Sequence, residues 1–134
     1  MRKQIFLFLL LSLVFVSTAD AKKKPQIQFE ETTVDLGTFP SNDAVRTVTF
    51  NFKNVGNGKL VINNVTTTCG CTVADYPKDF IAPGGSGTIT VTYDGRNKYP
   101  GRFNKGISVF TDNGKQVTRL FIQGIMTAPK QTNN

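Results

Sequence analysis

Thr88-Ile89-Thr90-Val91-Thr92-Tyr93 is the stretch on which the fold turns. Ile89, Val91 and Tyr93 share one parity and Thr88, Thr90 and Thr92 the other, the period-two pattern of a strand with one face in a core and one in water. The residues are β-branched or aromatic and no proline interrupts them. A helix would instead repeat its apolar positions every three or four residues.

The same grammar extends to both sides. Val48, Phe50 and Phe52 alternate with Thr47, Thr49 and Asn51, and further upstream Ile27 and Phe29 alternate with Gln26, Gln28 and Glu30. Thr33-Val34-Asp35-Leu36 reads as a short strand ended by Gly37 and Pro40. Asn54-Val55-Gly56-Asn57-Gly58 is a turn cluster. Leu60, Ile62 and Val65 belong to the next strand, with a slip of parity between Asn63 and Asn64 that points to a bulge. Thr72-Val73-Ala74-Asp75 is a further short strand, and Ile81 to Gly87 reads as a loop.

Downstream, Asp94-Gly95 and Pro100-Gly101 bracket a connection. Ile107 and Val109 then face Val117 to Ile125 across Asp112-Asn113-Gly114, a short-range hairpin signal. Phe103, Lys105, Ile107 and Val109 share parity, which aims a lysine inward. Either the strand starts at Gly106 or the lysine stem snorkels out, and the second is preferred. The expected architecture is all-β, an immunoglobulin-like antiparallel β-sandwich of about seven strands over residues 26–126. A small closed barrel is the alternative. The distant cysteine pair and tryptophan of antibody domains are absent, because there is no Trp and the two Cys are two apart.

The chain has 134 residues, a formal net charge of +7 and no His. Without histidine there is no Ser-His-Asp or Cys-His catalytic set and no imidazole metal ligand. Residues 1–21 read as a secretory signal: Arg2 and Lys3, an apolar run from Ile5 to Val16, then Ala19-Asp20-Ala21 as a small-x-small cleavage site. The apolar run is too short to span a bilayer comfortably. Export to the periplasm or the extracellular space is expected, with no membrane span after cleavage. Lys22-Lys23-Lys24 opens a basic tail over residues 22–25, read as a solvated terminus. Residues 127–134 form a polar C-terminal tail. Nucleic acid is not an expected partner, since no basic helix accompanies the export signal.

Cys69-Gly70-Cys71-Thr72 is the one constellation with reactive potential. Three readings stand side by side. Export permits a Cys69–Cys71 disulfide, whose very short loop would make it more reducible than an ordinary bridge. Two thiolates suit Cu(I), the possible cofactor, although a closed zinc site would want four ligands and Met126 is the only methionine beyond the leader. Two small side chains can also simply pack. Pro83-Gly84-Gly85-Ser86-Gly87 lacks the Gly-Lys-Ser/Thr of a phosphate loop and reads as a turn. Glu30, Glu31, Asp35, Asp75, Asp79 and Asp94 are scattered, with no spacing that argues a catalytic pair. Catalytic residues are expected to be none.

Phe50-Asn51-Phe52-Lys53-Asn54-Val55-Gly56, Leu60 to Val65, Cys69-Gly70-Cys71-Thr72 and Ile81-Ala82-Pro83-Gly84 together resemble one family of exported bacterial proteins, the domain of unknown function fifteen seventy-three. That family looks like a relative of the hydin/abnormal-spindle-type and PapD-like sandwiches. Val34-Asp35-Leu36-Gly37-Thr38-Phe39 resembles its opening segment, and Gly101-Arg102-Phe103-Asn104-Lys105 its closing one. The resemblance implies an exported Ig-like domain and no catalytic activity. The functional expectation is a non-enzymatic binding or scaffolding module of the cell envelope, its partner an envelope protein or a polysaccharide. A copper- or redox-handling protein using Cys69 and Cys71 is the alternative.

Overall fold

The computed structural model describes residues 22–132. The leader read at residues 1–21, and residues 133–134 of the polar tail, lie outside them. Eight strands follow one another: β1 (Ile27–Phe29), β2 (Thr33–Pro40), β3 (Val45–Asn54), β4 (Ile62–Thr67), β5 (Thr72–Asp75), β6 (Ser86–Asp94), β7 (Gly101–Thr111) and β8 (Gln116–Thr127). They form two four-stranded sheets, ordered β1-β3-β6-β5 and β2-β8-β7-β4. Each sheet keeps two edges, so the sandwich is realised and the closed barrel is not. Every strand pairing is antiparallel except β2 with β8, which is parallel.

The alternating residues meet between the sheets. Ile89, Val91, Ile107, Val109, Leu120 and Ile122 are all fully buried. Each such side chain contributes about 1.5–3 kcal/mol relative to exposure. At one end Tyr93 stacks on Phe103 at 4.3 Å between centroids, and Phe39 meets Tyr93 edge-on. Burial raises the Tyr93 phenol above its ordinary range, and the charge of Asp94 adds to it.

Two strand glycines are explained by what lies across from them. Gly87 pairs with Phe52 and Gly124 with Phe103. A Cβ on Gly87 would stand 2.5 Å from the Phe52 ring, and one on Gly124 2.8 Å from Phe103. The missing side chain is the seat of the ring on the neighbouring strand.

Several local expectations change. Gly37 does not end its strand. It sits at φ 77° inside β2, where the register with β8 shifts between Asp35 and Thr38, and the Asp35 carboxylate accepts its N–H at 2.7 Å. The glycine makes a bulge, after which the strand continues through Pro40. β6 begins at Ser86, inside the stretch read as a loop. β7 begins at Gly101, which removes Gly106 as the strand start and leaves Lys105 half-buried within the strand opposite Ile122. The slip at Asn63 is present as a register shift between Ile62 and Asn64. The β7–β8 turn does centre on Asn113-Gly114: Thr111 pairs with Gln116 across it, Gly114 takes φ 81°, and the Lys115 N–H donates to the Asp112 carbonyl at 3.0 Å. Asp112 and Asn113 take positive φ, 52° and 54°, and the Gly114 N–H donates to the Thr111 carbonyl at 3.0 Å.

Candidate functional site

The chain passes between the two sheets at both flanks of the sandwich, and the residues of interest lie there. On one flank the crossing runs from β4 to β5 through Thr68, Cys69, Gly70 and Cys71. Cys69 and Cys71 are joined as a disulfide across Gly70, with Cα atoms 5.2 Å apart. Cys69 is half-buried, whereas Cys71 is 7% exposed and belongs to the core. The Thr72 hydroxyl lies 3.7 Å from the Cys69 sulfur and 3.9 Å from that of Cys71. The Thr67 hydroxyl is shared between the carbonyls of Cys69 and Thr72, at 3.1 and 3.0 Å. The Asp94 N–H donates to the Cys71 carbonyl at 2.8 Å, which extends the β5–β6 ladder into the crossing.

Chain entropy does little to explain this bond. Closing a three-residue loop stabilises by about 1.6 kcal/mol, against ~3 kcal/mol for a fifteen-residue loop. A hollow of about 260 Å³ opens beside it, lined by Gly70, Cys71, Asp94, Arg96, Asn97 and Lys98. Arg96 and Asp94 form an ion pair at 2.6 Å. The Arg96 guanidinium and backbone N–H, both donating to the Asp94 carboxylate, hold its pKa down to about 2. A Cβ on Gly70 would meet nothing beyond its chain neighbours within 4 Å, so the outer face of this glycine is open. As a disulfide the pair offers no thiolate to Cu(I); copper binding requires the reduced form. Among the described residues no three His, Cys, Asp or Glu side chains are grouped to hold a metal ion.

The edges on this flank are capped by side chains. In β4 the Val65 N–H, turned away from β7, donates to the Asn64 side-chain oxygen at 2.9 Å. In β5 the outward N–H of Thr72 donates to the Cys69 carbonyl at 3.2 Å, and its carbonyl accepts from Thr67. The Tyr76 N–H donates to Asp75 at 3.0 Å. These local bonds occupy several of the groups that an incoming strand would need, although the Ala74 N–H and carbonyl in β5 stay without such a cap.

The opposite flank is built differently. β1 pairs with β3 on one side only. The Val55 N–H donates to the Gln26 carbonyl at 2.9 Å and the Glu30 N–H to the Asn51 carbonyl at 3.0 Å. Alternation in an antiparallel ladder then turns the N–H and C=O of Ile27 and Phe29 outward, away from β3. No hydrogen bond reaches them among the described residues. Beside this edge a groove of about 700 Å³ lies over β1, β3 and β6, presenting Gln28, Glu30, Asn51, Lys53, Ser86 and Thr88. The Asn51 amide donates to the Glu30 carboxylate at 3.2 Å.

Asn54 holds this flank in place. It is fully buried, and its side chain makes four bonds. Its oxygen accepts from the Gln26 and Gly56 N–H groups at 3.2 and 3.1 Å, and its nitrogen donates to the carbonyls of Gly58 and Ile81 at 2.8 and 3.0 Å. Asn57 adds a clamp: its side-chain oxygen accepts the Lys24 N–H at 2.7 Å, and its own N–H donates back to the Lys24 carbonyl at 3.0 Å. Lys24 is therefore tied down, unlike the free basic tail expected at residues 22–25. Asn54 and Asn57 had looked like turn residues. The signal for a larger role is that Asn54 ends a strand of correct parity, so its side chain must enter the core.

Of the carboxylates noted in the sequence, Asp35 and Asp75 cap backbone N–H groups and Asp94 engages Arg96. None is brought into a pair with another. Among the described residues no helix is long and apolar enough to cross a membrane.

The fold is shared with several solved structures. A protein of unknown function from Porphyromonas gingivalis W83 superposes with a TM-score of 0.63 at 21% identity, over 75% of this chain and 46% of that one. The chain thus spans less than half the length of that protein. The ASH/PapD-like domain 7 of human CEP192 gives a TM-score of 0.61 at 10% identity, over 78% of this chain and 87% of that one. The periplasmic chaperone SfaE gives 0.51 at 10% identity, over 79% and 59%. At these identities the likeness is one of fold, a PapD-like Ig sandwich. No curated protein matches the chain in sequence. All eight strands but the last residue of β8, with the Cys-Gly-Cys crossing and the Pro-Gly turn, fall within residues 27–126, which match one family throughout, and the chain belongs to the family described as Protein of unknown function (DUF1573).

Proposed function

We propose that this protein is an exported, non-enzymatic binding module of the cell envelope, in which residues 26–126 act as one unit. The partner is an extended segment of another envelope protein, added as a strand beside β1. The observation that carries the reading is the open β1 edge, where Ile27 and Phe29 present backbone donors and acceptors beside a groove of polar side chains that includes the charged Glu30 and Lys53. A peptide backbone is the ligand that satisfies such an edge, and the neighbouring side chains give it selectivity. Support for export comes from the signal-like residues 1–21 and from the fold likeness to a periplasmic chaperone. The absence of histidine and of any paired carboxylates supports a role without catalysis.

The test is site-specific photocrosslinking in the organism's own envelope fraction. A probe at Gln28 is expected to give a discrete protein adduct, and one at Val73 on the capped flank none. Ile27→Pro, which removes an outward N–H while leaving the ladder to β3 intact, is expected to abolish the adduct in a protein that remains folded. Equal adducts at both positions, or retention on envelope polysaccharide without any protein adduct, would overturn the reading.

A further inference from the structure

The two sulfurs of the β4–β5 crossing differ in access and sit in an open setting, and this goes beyond a binding role. We propose that the Cys69–Cys71 bond is an exchangeable disulfide that accepts electrons from a protein dithiol, with Cys69 as the sulfur attacked. Three observations converge. The bond closes a loop of sequence separation two and so contributes little as a staple. Cys69 is half-buried while Cys71 is 7% exposed and in the core, so the two residues differ in exposure and Cys69 is the more accessible. The Thr72 hydroxyl lies near both sulfurs, 3.7 Å from Cys69 and 3.9 Å from Cys71, and Lys98 lines the hollow beside Cys71 together with the Asp94–Arg96 ion pair. A hydroxyl donor and nearby cations stabilise a departing thiolate.

The exchange balances as follows. A thiolate of the partner attacks Cys69 Sγ, a mixed disulfide forms and the Cys69–Cys71 bond breaks, and Cys71 leaves as a thiolate that takes a proton from solvent. The partner's second thiolate then attacks the partner sulfur of the mixed disulfide. Cys69 leaves as a thiolate and is protonated in turn. The partner dithiol has become a disulfide, and two electrons and two protons have passed to Cys69 and Cys71. Short-loop bridges are the more oxidising ones, which gives the direction of transfer.

The test uses the full exported chain purified without reductant. Incubated with a reduced thioredoxin-type dithiol under native conditions, it is expected to yield two free thiols while its near-UV circular dichroism is retained. Cys71→Ser, which leaves Cys69 free, is expected to form a mixed disulfide with oxidised glutathione at least tenfold faster than Cys69→Ser. Reduction that occurs only after unfolding by urea overturns the proposal, as do equal rates in the two variants. Copper retained in the native mass with both thiols free also overturns it. The wild-type reduction needs no substitution, so a variant that fails to fold leaves the decision with that measurement.

Discussion

The two flanks solve the same topological problem in opposite ways. On each, the chain leaves an edge strand of one sheet and becomes an edge strand of the other. From β4 to β5 it does so through a covalent bridge, and Asn64, Thr67 and Asp75 occupy several of the outward backbone groups. From β1 to β2 it runs through Glu30, Glu31 and Thr32, and Ile27 and Phe29 keep theirs open. One flank carries the covalent bridge and has part of its outward backbone capped; the other keeps the outward groups of its short strand uncapped. A sandwich with both edges open invites self-association. Capping part of one flank and shortening the edge strand of the other to three residues both limit that hazard.

The comparison breaks most severely at Asn54. Asn54→Ala removes four hydrogen bonds from a fully buried side chain and takes their partner from the Gly58 carbonyl and the Gln26 and Gly56 N–H groups, while the Ile81 carbonyl keeps the Leu60 N–H. A loss of about 3–5 kcal/mol is expected in urea unfolding. Hydrogen exchange should show Gln28 losing protection while Val73 keeps it. Uniform loss across both flanks would mean that Asn54 supports the whole core and not the open edge.

Gly87→Ala comes next, at about 1–3 kcal/mol, because the Phe52 ring occupies the space and is itself 2% exposed and packed on Phe29. Pairing it with Phe52→Leu should recover part of the loss, and a double-mutant cycle without coupling would sink the steric account.

Removing the bridge sharpens the contrast at a smaller scale. Cys69→Ser with Cys71→Ser is expected to cost only about 1.6 kcal/mol. A cost above ~4 kcal/mol would make the bond a structural staple and leave the caps on that flank secondary.

The smallest effect is electrostatic. The folded pKa of Asp94 lies below its unfolded value, so its contribution is present above pH 4 and fades as the pH falls towards about 2. Proton titration by NMR is expected to place Asp94 near 2 and, in Arg96→Ala, to return it towards the ordinary carboxylate value of 3.8. The ion pair lies at the solvent surface, so no measurable change in unfolding midpoint near neutral pH is expected.

What the sequence could disclose follows the range of each interaction. Thr88 to Tyr93 was legible because alternation is written into neighbouring residues. The bulge at Asn63 was legible for the same reason, as a break in parity. Gly37 was not, since its role depends on the register of β8 at the far end of the chain. Asn54 was half legible: its parity pointed inward, but its partner Ile81 lies twenty-seven residues away. Cys69 and Cys71 stood out by composition alone, whereas their unequal access comes from packing. The open and partly capped edges depend on side-chain caps that any Asn, Thr or Asp in a strand might or might not form.

The parallel pairing of β2 with β8 also sets an order of events. The second strand from the start finds its neighbour only in the last, so half of its sheet cannot assemble until the C-terminal residues are present. Folding is then governed by closure of nearly the whole chain, the regime of milliseconds to seconds for sandwiches rich in distant pairings. A chain lacking β8 would leave β2 without a partner and β7 with one side bare, an unfinished sheet and not a smaller version of the fold.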